Sequence, residues 1–81
     1  MIPRRVLLEV VPAVEEWHVT RDGDVVAKHD TQAEAIVTAV LLGKAQVADG
    51  RTASLKIKRP DGRVREERTY PRSSDPRRTK G

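Results

Sequence analysis

One stretch constrains the fold more than any other: Thr31 to Val47, TQAEAIVTAVLLGKAQV. It reads as a helix set among short strand-like runs. Thr31 followed three residues later by Glu34 has capping-box spacing. In that motif the threonine oxygen accepts from the Glu34 backbone N–H and the carboxylate reaches back. Asp30 and Glu34 place negative charge at the positive end of the helix dipole. Asp49-Gly50 supplies the stop, because glycine tolerates the left-handed conformation that closes a helix. The residues between are mostly good helix formers, with Gly43 the one glycine.

The face pattern of this helix sets the first question. Ala35, Ile36, Ala39, Leu42 and Gly43 share one side, and small Ala39 and Gly43 allow close approach to a sheet. Glu34 and Thr38 mark a polar back. Val37, Val40 and Leu41 form a second apolar strip beside the first. A helix over one sheet needs only one such strip. Either the buried face is wide, with the N-terminal segment folded over it, or the second strip is a subunit interface.

The flanking chain reads as strands. Val6 to Val11 lies between Pro3 and Pro12 and is β-branched and leucine-rich. Trp17 to Arg21 alternates, Asp22-Gly23 is a strong hairpin signal, and Val25 to Lys28 returns. Ala53 to Arg59 and Arg63 to Tyr70 follow the helix. The expected fold class is therefore α+β: a small antiparallel sheet of order β-β-β-α-β-β, with one helix packed on one face.

The last hairpin can be read for register. Arg59-Pro60-Asp61-Gly62 suits a type I turn with glycine at a following bulge. That reading puts Ile57 opposite Val64, Lys58 opposite Arg63 and Lys56 opposite Arg65, so four cations share a solvent face. Like charges directly across a sheet are unfavourable. Either nearby acids (Glu66, Glu67 or Glu9) relieve them, or the face receives phosphates or acidic side chains.

Composition limits the alternatives. Eighty-one residues make one small domain, and the absence of cysteine removes disulfides and thiolate metal sites. This fits a reducing cytoplasm, the expected location. With no phenylalanine, the core must be Val, Leu, Ile and Ala around Trp17, and so thin a core favours dimerisation. Net charge is +4, but residues 1–70 hold 12 Lys/Arg against 11 Asp/Glu. The excess sits in Pro71 to Gly81, PRSSDPRRTKG, expected to be a disordered basic tail beyond a single domain of residues 1–70. No membrane-spanning stretch is present, and Glu9 breaks the one run that resembles a signal peptide.

Together these residues resemble a known family. Trp17-His18-Val19, Asp22-Gly23, His29-Asp30-Thr31-Gln32-Ala33-Glu34-Ala35-Ile36, Asp61-Gly62-Arg63-Val64 and Thr69-Tyr70 are similar to the small bacterial domain-of-unknown-function family numbered 2188. The resemblance runs from about Val6 to Asp75. It implies one α+β domain of bacterial or phage type and carries no activity.

Enzyme chemistry lacks its parts. His18 and His29 have no cysteine and no ligand spacing for zinc. The serines have no histidine at a motif spacing, and Asp22, Asp24, Glu15 and Glu16 sit in turns. No catalytic, cofactor-binding or metal-binding residue is assigned, and no metal or membrane partner is expected. The expectation is a non-enzymatic accessory protein that acts as an interaction module. It self-associates or takes a protein partner through Val37, Val40 and Leu41. The alternative is weak, largely sequence-independent nucleic-acid binding through Lys56, Lys58, Arg59, Arg63, Arg65, Arg77 and Arg78. Against it, Trp17 and Tyr70 are the only aromatics, and single-strand binding sheets offer more stacking rings.

Overall fold

A computed structural model describes residues 5–70, so the tail, with Arg77 and Arg78, lies outside the described residues. The chain forms β1 (Arg5–Ala13), β2 (Glu16–Arg21), β3 (Asp24–His29), α1 (Gln32–Ala48), β4 (Thr52–Lys58) and β5 (Val64–Tyr70). This is the α+β order expected. The five strands make one sheet in the order β3-β2-β1-β4-β5.

The central pair differs from a wholly antiparallel sheet. β1 and β4 run parallel, while the other three pairs are antiparallel. Two hairpins leave β3 running in the direction of β1. The helix then carries the chain back across the sheet, so β4 starts from the same end as β1. A parallel neighbour needs such a crossover, and α1 is the crossover.

The turns and caps follow local chemistry. Asp22 and Gly23 both take positive φ, 50° and 93°, as a two-residue type I′ hairpin requires. Thr31 is extended and its Oγ1 accepts from Glu34 N at 3.2 Å. At the other end Gly50, φ 81°, donates to Val47 O, and Arg51 N donates to Gln46 O. That is the Schellman pattern, and it satisfies two carbonyls the last turn would leave unpaired.

The core is one layer thick between sheet and helix. Val6, Leu8, Val10, Val19, Ala53, Leu55 and Ile57 meet Ala35 and Ala39. Its aromatic member is Tyr70, 3% exposed, and not Trp17. Trp17 is half-buried and packs against the core from the start of β2, opposite Pro12 and His29. Tyr70 instead closes the core below the helix. An added Cβ on Gly43 would lie 2.8 Å from its Cδ2, so glycine is what allows α1 to descend here. Ile36, Val40 and Leu42 flank the same core.

Candidate interaction surface

The outward side of α1 carries an apolar strip. Val37 and Leu41 are 60% and 61% exposed. Ala33, Ala45 and Ala48 are exposed with them, at spacings of three and four residues that hold one line along a helix. Glu34 and Lys44 flank that line, both exposed. Of the three residues expected in this strip, Val37 and Leu41 are exposed and Val40 is less so. Val40 is half-buried and packed against the core, so it shows less of its side chain than Val37 and Leu41 do. One residue on a helix turns the side chain by about 100°, and Val40 follows Ala39, which points straight into the sheet. Thr38 is likewise no part of a polar back: its Oγ1 lies 2.8 Å from His29 Nε2. The alanines were missed, although counting four residues either way from Val37 and Leu41 reaches Ala33 and Ala45.

The N-terminal strand does not cover this strip. β1 is the middle strand of the sheet, on the other side of the core. The strip therefore differs from the helix face that packs on β4 and β1 in having nothing on it among the described residues.

The second surface is the β4–β5 hairpin, where the expected register is wrong. Lys58 pairs with Val64, Ile57 with Glu66 and Lys56 with Glu67, with a bulge between Ile57 and Lys58. The turn itself is as expected, with Gly62 at φ 89° and its N–H donating to Arg59 O at 2.8 Å. Arg65 is the extra residue of the bulge, and one extra residue reverses the faces beyond it. The four cations are thereby separated. Arg65 reaches the helix start, where its Nη1 donates to Gln32 Oε1 at 2.8 Å. Gln32 in turn donates to Lys58 O at 2.7 Å. Arg63 stays in the turn, 3.8 Å from Asp61, as an open surface pair. Arg59 is exposed in the turn.

Lys56 and Lys58 do share the open face of the sheet, among acids. Lys58 Nζ is 3.7 Å from Glu9 Oε2, and Lys56 stands opposite Glu67. On the helix side, Arg68 bonds Glu66 at 2.6 Å. That bond, with a smaller contribution from Tyr70, holds the guanidinium above its ordinary basicity. Each basic residue of β4 and β5 thus sits next to a carboxylate or a fixed acceptor.

The histidines are structural in position. His18 lies opposite Lys28 and Val11 on the open face, 2.5 Å from Glu16 Oε2. This hydrogen bond, helped by nearby Lys28, holds the Glu16 carboxyl below its ordinary value. Among the described residues no group of three or more His, Asp or Glu side chains could hold a metal. No helix among them is long and apolar enough to cross a membrane.

Fold and surface together define a class: a small mixed sheet covered on one face by one helix, whose outer side carries an uncovered apolar strip. The chain belongs to DUF2188, a family described as an uncharacterized protein conserved in bacteria, which matches residues 8–70. No curated protein and no solved structure matches it.

Proposed function

We propose that the protein is a non-enzymatic interaction module that associates with itself through the outer side of α1. The observation that supports this is the pair Val37 and Leu41, each about three-fifths exposed, on a helix whose other side already fills the core. Exposed apolar side chains are ordinary when scattered. A line of them along a whole helix is not, and it is the shape a second helix fits.

Magnitudes set the strength. Fully burying a valine or leucine is worth roughly 1.5–3 kcal/mol. Two such side chains from each copy, already partly covered, supply about half of that each. Association itself costs about 4–15 kcal/mol. The four side chains together supply about 3–6 kcal/mol, which reaches only the lower end of that cost, so a dimer held by this strip is weak and forms only at high concentration.

A dilution series on isotopically labelled protein tests this. Amide shifts of α1 around Val37, Leu41 and Lys44 should move with concentration in the native chain and stand still in Leu41→Glu. Shifts that never depend on concentration would count against self-association.

Nucleic-acid binding is the second reading, and less supports it. Lys56 and Lys58 have Glu67 and Glu9 as neighbours, and Arg65 is engaged by Gln32. A phosphate would have to compete with those carboxylates. Movement of the β4–β5 amides on adding duplex DNA at low salt, lost at higher salt, would put this reading first.

A further inference from the structure

Two charged residues at the ends of the exposed strip suggest how a second copy would sit. Glu34, Val37, Leu41 and Lys44 follow one another at steps of three, four and three along the outer side of α1. All four are exposed. Among the described residues, neither Glu34 nor Lys44 has an ion-pair partner in its own chain. The ten residue steps from Glu34 to Lys44 span about 15 Å of helix.

Turn the strip end for end and its chemistry matches itself. Residue 34 then faces 44, residue 37 faces 41, and residue 33 faces 45. Those are Glu against Lys, Val against Leu, and Ala against Ala. A two-fold axis makes every such contact twice, because a symmetric dimer uses the same patch on both copies. Two copies aligned in the same direction would instead bring Glu34 to Glu34 and Lys44 to Lys44. The antiparallel arrangement has two attractive pairs where the parallel one has two repulsive pairs. The alanines at the ends leave room for the helices to approach.

We propose that the occupant of the strip is a second copy of this chain, docked antiparallel, helix on helix. In this arrangement Val37 of each copy packs on Leu41 of the other, and Glu34 of each pairs with Lys44 of the other. The inference rests on the reading of α1 as the self-association surface and adds the orientation, the register and the basis of partner choice. Charges flanking an apolar seam select the partner and direction in paired helices. The protein would thus reject relatives whose strip carries the wrong sign at either end.

The test exchanges charges in the full-length chain and follows association by sedimentation velocity. Glu34→Lys and Lys44→Glu, each alone, put like charges together twice and should weaken association at least several-fold. Glu34→Lys with Lys44→Glu in one chain restores both pairs and should recover native association. An equal mixture of the two single variants should form the mixed dimer in preference to either variant alone. Glu34→Lys also removes an acid from the first helical turn. The double variant carries that same loss, so its recovery cannot come from helix stability. Leu41→Glu separates the two levels of the claim. If it abolishes association while the charge variants behave as native, the strip stands and the antiparallel pairing falls. If it too leaves association unchanged, or the native chain never associates, the surface itself is wrong. A double variant that fails to recover although folded also overturns the pairing.

Discussion

Gly43 is the residue on which helix and sheet meet most closely. A methyl group there would press on the Tyr70 ring at 2.8, 3.0 and 3.2 Å, and the ring is itself buried. Alanine favours a helix interior over glycine by about 1 kcal/mol. Overpacking a tight contact costs about 1–3 kcal/mol. The contact involves one whole side of the ring, so the second effect should prevail. Gly43→Ala is expected to lower the urea midpoint, for a net loss of about 1 kcal/mol; an equal gain would show that the ring can move aside. Glu16 offers a separate check. His18 lowers its folded value below the ordinary 4.5. A depressed carboxyl stabilises the fold fully above its unfolded value, and the contribution disappears as the pH falls through the folded one. The Glu16 carboxyl resonance should therefore titrate below 4.5, and in His18→Ala its midpoint should rise. An unchanged midpoint would remove the histidine as the cause. At this scale Gly43 was legible in sequence as a small residue on the buried face. That Tyr70, and not Trp17, lies beneath it was not, since this depends on which part of the sheet the helix passes over, and Tyr70 stands on the edge strand β5.

The two ends of α1 were legible because they are local. Thr31, Glu34 and Gly50 act within a few residues of themselves, and the structure uses Thr31 and Gly50 as their chemistry suggests. The β4–β5 hairpin was legible only at its turn. Gly62 takes its expected positive φ, but the pairing then slips at Arg65. No local signal marks that bulge: the gain comes from Gln32, twenty-six residues before Lys58, which fastens the helix start to the hairpin. Gln32→Ala should remove both bonds, to Lys58 O and from Arg65. A hydrogen bond is worth about 0.5–1.5 kcal/mol. The expected loss is about 1–2 kcal/mol, with faster hydrogen exchange near the hairpin turn than in β1. Exchange that quickens uniformly would mean that Gln32 does not act as a local fastener. The same bulge explains why four cations expected on one face are spread over three places. Helix sidedness was half legible, since Val37 and Leu41 are outward as expected and Val40 is not.

At the scale of the whole molecule, one helix has two apolar sides and one sheet to cover. The parallel pair β1–β4 sits under the helix, and β2 and β5 flank it. Outer strands β3 and β5 mix charges with valines on their exposed positions, Asp24 and Lys28 beside Val25 and Val26, and Arg65 and Glu67 beside Val64; charges at an edge discourage pairing with other chains. Val37 and Leu41 have no such protection. Val37 and Leu41, at 60% and 61%, are more exposed than the edge valines and lie one helical turn apart, so association is assigned to the helix and not to the sheet edges. We propose this strip as the place where a second copy binds. Sedimentation velocity of the full-length chain, over a wide range of concentration and beside Leu41→Glu, tests it most directly. The native chain should pass from monomer to dimer as concentration rises, and the variant should stay monomeric while remaining folded. A native chain that stays monomeric throughout, or a variant that dimerises equally well, would contradict it.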